Sequence, residues 1–260
     1  MSTEFAEFEI AEFWSLLTES RLLESPVIED LKNRAHEALA ADPNRTLNPK
    51  TLVEWLIEQK ALTTYQTNIF LGGLSGPLVY GNYSIVSQIQ KGPLAGSFQA
   101  RHRATGHPVV LQFKSGTDAL DAQVWQRVAK QTRKLQTANS PNLAATYESV
   151  ELPEHHFVVS QQPTGIARGK TLAARIPLKS RIDSGEACSI ASQTARGLAA
   201  MHRRGAVHGS VSADSIWLAS GGSLQVFVPL TALSVKNNKA GLAEDIRAVG
   251  SLLYLSLIHI

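Results

Sequence analysis

Disulfides, long apolar runs and clustered charge are all missing from this sequence. Its single cysteine, Cys188, excludes an internal disulfide and suits a reducing compartment. Cys188 falls in a segment of helical periodicity, where a buried or half-buried thiol is expected rather than a catalytic one. Charged residues are only 18% of the 260, sum to +3 and are scattered, which excludes the concentrated basic face of a nucleic-acid-binding protein. The N-terminal M-S-T-E-F-A-E-F-E-I has no basic stretch before an apolar one, so no secretory leader is expected and the cytoplasm is the expected location. The longest apolar stretch, S-L-L-Y-L-S-L-I-H-I at 251–260, is far short of the roughly 20 residues that cross a bilayer, so no membrane segment is expected within this chain. What is present is 43% hydrophobic residues, enough for one medium domain with an appendage or two small ones.

Up to about residue 76 the apolar spacing is helical. Phe13, Leu16 and Leu17, Leu22 and Leu23, then Val27, Ile28, Leu31, Ala35 and Leu39 recur every three or four residues. Ser25-Pro26 divides this run into two helices, with Ser25 as the expected N-cap and Pro26 as the first helical residue. Asn48-Pro49 repeats the start signal ahead of Leu52, Val53, Leu56 and Ile57. Thr64 to Leu71 makes a fourth short helix, closed by Gly72-Gly73. Trp14 and Trp55 lie inside these amphipathic segments and are expected in the core.

From Tyr80 the period becomes two. Three strands are expected up to Lys114, joined by turns at Gly92-Pro93 and Thr105-Gly106, the last strand containing V-V-L-Q at 109–112. A helix from about Asp118 to Ala138 carries Leu120, Val124, Val128 and Leu135 and stops before Ser140-Pro141-Asn142-Leu143. His155 and His156 open H-H-F-V-V-S-Q-Q-P-T-G at an expected turn, where they are solvated; an adjacent pair with no further ligand is not a metal site. Asp183-x-x-Glu186 predicts a capping box for a helix running to Met201 and closed by Gly205. Then come A-V-H-G-S-V-S-A-D-S-I-W-L at 206–218, a strand at Leu224 to Phe227, V-P-L at 228–230, and Glu244-Asp245-Ile246 leading to V-G-S-L-L-Y.

Taken in this order, these segments resemble a protein kinase from about Leu78 to Leu257. The His208 loop resembles H-R-D-L-x-x-x-N, V-V-L-Q resembles V-A-I-K, and S-P-N-L resembles the H-P-N-I turn after the kinase C-helix. The resemblance is to the bacterial eukaryotic-like serine/threonine kinases. Some of them also carry a helical block ending in an L-T-x-Y-Q run like Leu62-Thr63-Thr64-Tyr65-Gln66. It implies an α+β, bilobal protein-kinase-like fold at 77–260, after an all-helical segment at 1–76. Within it a β-rich N-lobe would span about 77–163 and a truncated helical C-lobe about 164–260.

Position by position, the resemblance keeps the frame and loses the chemistry. Of the glycine-rich loop only Gly92 aligns; Gln90 and Ala95 stand at the other two glycines, Pro93 removes a donor N–H, and Gly96 follows one place late. Ser97 replaces the valine over the adenine, and Val110 replaces the alanine beside it. Gln112 stands for the phosphate-holding lysine and Gln131 for its glutamate partner; two neutral amides can bond each other where a lone charge would be costly. Lys114, two residues along the same strand face and about 7 Å away, is either a displaced substitute or a solvated strand-end lysine. Val159 takes the gatekeeper place and Ser160 to Gln162 the hinge.

In the loop, Gly209 replaces the arginine that pairs with activation-loop phosphate. Ser210 stands for the catalytic aspartate, Ser212 for the lysine beside it and Ser215 for the metal-binding asparagine, while Val228 stands for the second metal ligand. Asp214 is the one acid left there, at a solvent-facing place. His208 and Asp245 match structural positions. The activation segment is reduced to S-V-K-N-N-K-A-G, and the helices that would cover Leu252, Leu253, Leu255, Leu257, Ile258 and Ile260 are missing.

The resemblance therefore implies a pseudokinase with no catalytic residue and no metal site, acting on unknown protein partners as an interaction, scaffold or regulatory module. The alternative is a divergent ATP-dependent serine/threonine kinase using Lys114 and Asp214. No cofactor is expected; if ATP binds, it does so without magnesium, and Gly92, Gly96, Lys114, Val110, Val159 and Gln161 are the residues to hold it.

Overall fold

The computed structural model describes residues 9–41, 48–92, 94–114, 121–165, 169–176, 182–234 and 239–258. Helix and strand are mixed, and the chain divides into two compact units, one of residues 1–88 with 98–107 and one of residues 89–97 with 108–260.

The first unit holds helices α1 (Ile10–Glu19), α2 (Ser25–Ala40), α3 (Pro49–Glu58) and α4 (Thr64–Leu71). Their apolar stripes meet in a core of Phe13, Leu17, Leu52, Leu56 and Phe70, all with 0% exposure. Trp14 and Trp55 are buried at the edge of this core, with Lys32 and Arg34 over their rings. Asn48 caps α3 as its spacing predicts: Oδ1 accepts from Thr51 N at 3.0 Å and Asn48 N donates to Thr51 Oγ1 at 3.1 Å. The cap of α2 is Glu24 rather than Ser25, which is already helical; Pro26 lacks an N–H and fits the second helical position as readily as the first.

Strands β1 (Val79–Tyr80), β2 (Tyr83–Gln88) and β3 (Phe98–His102) complete the unit as an antiparallel meander. The register slips between Ile85 and Ser87. Such a bulge leaves backbone groups out of the ladder. Here α4 takes them up, Thr63 Oγ1 donating to Val86 O at 2.6 Å and Gln66 Nε2 to Ile85 O at 2.5 Å.

The second unit begins with the hairpin tip 89–97 and continues with β4 (Pro108–Phe113), α5 (Ala122–Leu135), β5 (Thr146–Glu151) and β6 (His156–Gln161). β6 lies between β4 and β5, antiparallel to both. Asp121 starts α5, its Oδ1 accepting from Gln123 N and Val124 N. The expected start at Asp118, with Leu120, lies outside the described residues, as do Pro93 and residues 235–238 of the shortened activation segment.

Next come β7 (Lys170–Thr171), α6 (Leu172–Arg175), α7 (Ser184–His202), β8 (Ile216–Leu218), β9 (Leu224–Val226), α8 (Leu230–Ser234) and α9 (Lys239–Ile258). β7, β8 and β9 form a small antiparallel sheet. α7 packs closely here because of Gly197, where a Cβ would meet Asn142 O. Asp183 caps α7 through Glu186 N, while the Glu186 carboxylate pairs with Arg175 at 3.0 Å. Among the described residues, no helix is long and apolar enough to cross a membrane.

Two expectations are corrected. His156 is not solvated at a turn: it is the first residue of β6, 6% exposed, its ring 4.8 Å from that of Trp125 on α5. His155, beside it, is half-buried with its ring against Phe113. Cys188 is exposed, because it sits one residue off the buried stripe of α7 formed by Ala187, Ile190 and Thr194.

Candidate functional site

Everything the sequence singles out around a nucleotide site falls in the second unit. Gln112, near the end of β4, is 4% exposed. Its amide is committed on both sides: Nε2 donates to Val228 O and to Ser160 Oγ, each at 3.3 Å, and Oε1 accepts from Leu230 N at 2.9 Å. One neutral side chain thus ties β4 to the segment that follows β9. Gln131 is buried on α5. Beside Gln112 is a cavity of about 280 Å³, lined among others by Gly96, Ser97, Phe113, Lys114, Pro229 and Thr231. Lys114 is its one charged lining residue among the described residues, and its backbone N–H donates to His156 O at 3.0 Å.

The resemblance puts Val110 beside the adenine position. Val110 has 0% exposure and packs with Leu94, Ala144 and Phe227, with Ile89 and Trp217 at the edge of the cluster. Leu94 comes from the hairpin tip, which turns back on itself: Ile89 N donates to Ser97 O and Gly96 N to Ile89 O. Gly92 and Gly96 hold left-handed φ angles of 86° and 83°, which glycine adopts without strain. At Gly92 a Cβ would lie 3.3 Å from Thr171 Cγ2, so the tip also meets β7. The Trp217 ring lies against Gly169 and its Nε1 donates to Thr164 O at 2.9 Å. Val159 is fully buried on β6; Gln161 spends its N–H on Ala145 O and its Oε1 on Ala145 N.

Sequence reading missed Leu94, Phe227 and Trp217 as a group. The available signal was an apolar residue at the tip of a hairpin and a tryptophan directly after the His208 loop.

That loop is held by Asp245 at 1% exposure. Its Oδ2 accepts from His208 N and lies at 2.8 Å from His202 Nε2, and its Oδ1 accepts from Gly209 N at 2.7 Å. His208 is also buried, with Nε2 2.9 Å from Phe227 O. Burial pushes the His208 pKa below its ordinary value, against the opposing pull of the Phe227 carbonyl and the Asp245 charge. Ser210 is exposed, with Oγ 3.5 Å from His208 Nδ1, and Asp214 is exposed on a 3-10 turn at Ala213–Ser215. Ser215 is buried, and its hydroxyl accepts from Ser212 N and donates to Ser212 O.

Magnesium needs oxygen ligands, carboxylates above all. Among the described residues no carboxylate lines the cavity, and the Ser215 hydroxyl is engaged in its own turn, so these residues do not fit the metal.

No family model matches the sequence, and no curated protein matches it significantly. Solved structures do match. The kinase domain of Mycobacterium tuberculosis PknI is 17% identical, with a TM-score of 0.54 over 70% of this chain and 74% of that one. A cysteine-to-alanine variant of that domain gives 17% and 0.55 over 71% and 76%. The fold is that of a protein kinase. At this identity the likeness concerns the fold alone; the kinase-like architecture is shared, and its chemistry depends on the residues just described.

Proposed function

We propose that the chain is a pseudokinase, a kinase fold kept without phosphotransfer that serves as an interaction or regulatory module. The observation that carries this reading is the enclosure of Val110 by the chain's own Leu94, Ala144 and Phe227. A nucleotide base would have to displace them, and taking one large apolar side chain out of such a contact costs about 1.5–3 kcal/mol. The uncharged tie at Gln112 and the lack of a carboxylate around the cavity among the described residues point the same way. A phosphoryl transfer site works by positioned charge and metal, and among the described residues one lysine is the only charged residue that lines this cavity.

A second reading, a divergent phosphotransferase, is favoured by that same Lys114, which lines the cavity together with Gly96 and Ser97. Thermal melts of the whole chain with ATP, with and without magnesium, separate the two. A ligand at about 100 times its Kd adds about 2.7 kcal/mol, a shift of several degrees. The pseudokinase reading expects no magnesium-dependent shift. A clear one, with radiolabel transfer from ATP that disappears in Lys114→Ala, would establish the second reading instead.

A further inference from the structure

Away from the nucleotide site, a second cavity of about 300 Å³ opens between α6, α7 and the turn joining β8 to β9. Its floor is apolar, built from Ile190 on α7, Leu218 on β8 and Leu224 on β9. One wall is fixed by Gln193, whose Nε2 donates to Ser189 Oγ at 3.1 Å and to Gly222 O at 3.0 Å, while Oε1 accepts from Leu224 N at 3.0 Å. A cleft whose walls are already hydrogen-bonded need not be ordered by its ligand, which lowers the cost of binding.

The rim is rich in donors. Arg175 and Glu186 neutralise each other at 3.0 Å. Lys170, exposed at the start of β7, carries the one lining charge without a counter-ion among the described residues. Ser189 Oγ already accepts from Gln193, so its proton is free to point at a ligand, and Ser220 adds a second hydroxyl.

We infer that this cavity docks an acidic–aliphatic peptide segment of a partner protein, a branched aliphatic side chain resting on Ile190, Leu218 and Leu224 and a flanking carboxylate meeting Lys170. The volume, at the lower end of the range for ligand clefts, takes one such side chain with its backbone rather than the face of a helix. The unpaired positive charge selects the sign of the flanking residue. The site shares no lining residue with the cavity beside Gln112, so a ligand in one does not overlap a ligand in the other.

The test is an amide NMR titration of the isotope-labelled whole chain with four probes: acetyl-Glu-Leu-Glu-amide, acetyl-Lys-Leu-Lys-amide, acetyl-Glu-Ala-Glu-amide and free N-acetyl-leucine. The expected result is that the first perturbs Ser189, Gln193 and residues 218–222. The lysine and alanine peptides should bind more weakly by about fivefold or more, the worth of one exposed ion pair or of the lost aliphatic contact. Lys170→Glu, at an exposed position that leaves the core intact, should reverse the order of the two charged peptides. Equal binding of the acidic and basic peptides, an order unchanged in Lys170→Glu, or perturbations confined to other surfaces would overturn the proposal. So would N-acetyl-leucine binding as tightly as the acidic peptide, which would assign the cavity to a small carboxylic acid.

Discussion

Replacing Gln112 with leucine keeps most of the side chain's volume and removes its amide. Three partners lose their bond: Ser160 Oγ, Val228 O and Leu230 N. The serine hydroxyl loses only an accepted bond and keeps its own proton to donate. The two backbone groups belong to residues only 5% and 7% exposed. Each of the two orphaned buried groups costs about 1–3 kcal/mol, and the added apolar surface returns about 1 kcal/mol, so the net loss is about 1–5 kcal/mol. For a unit of this size that is a fall in Tm of about 2–20 °C. Urea unfolding monitored at the transition of the second unit measures it directly, with a lowered midpoint and an unchanged slope. Gln112→Lys is the sharper companion. Its ammonium can donate to Val228 O and Ser160 Oγ but cannot accept from Leu230 N, and among the described residues no carboxylate lines the cavity to pair with it. It should be at least as destabilising as the leucine variant and should leave ATP binding unrestored. A Gln112→Leu midpoint within about 0.5 kcal/mol of wild type, the range of an ordinary surface change, would refute the account of Gln112 as a tie. Magnesium-dependent nucleotide binding by Gln112→Lys would refute the account of the site as lost.

Two further outcomes are expected. Leu94→Ala should cost about 2–4 kcal/mol by denaturant unfolding, because Leu94 is 4% exposed against Val110 and Phe227; a loss near zero would mean that the hairpin tip is not packed. For His208 the sign follows from its lowered folded pKa: the unfolded chain binds the proton better. Stability is therefore full above the ordinary value of 6.5 and declines as pH falls through it, levelling only below the depressed folded value. Melts across this range should show a shallower decline in His208→Gln than in wild type; parallel curves would contradict the assignment.

The helical block and the strands were legible because their signals are local: spacing of apolar residues, Asn48 before Pro49, glycine at turns. The site was legible only in its losses. Neither the periodicity of β4 nor that of α5 says that Gln112 bonds groups 116 and 118 positions further along the chain. His156 was misjudged because β6 is buried on both faces, so the alternation that marks an exposed side is absent, and the polar stretch before it imitates a turn. Cys188 was misjudged by a single helical step of about 100°, enough to move it from the buried stripe into solvent.

The charges that survive and those that are gone divide by what they serve. Asp245 keeps a buried carboxylate, and its acceptors are filled by two backbone N–H groups and the His202 ring, all belonging to the fold. At the positions that in a kinase serve ATP and metal, Gln112, Gln131, Ser215 and Val228 are uncharged. These changes are coupled physically. Leaving one member of a buried ion pair behind costs about 3–5 kcal/mol, a large part of a domain's whole stability, so the glutamate place cannot stay charged once the lysine place is neutral. The replacements also do structural work: Gln112 bonds the backbone after β9 and the Ser215 hydroxyl closes the turn before β8. On the pseudokinase reading, selection for a stable kinase-shaped surface would account for both halves of this pattern, the buried charge kept for backbone and the neutral amides placed where charge would otherwise be stranded.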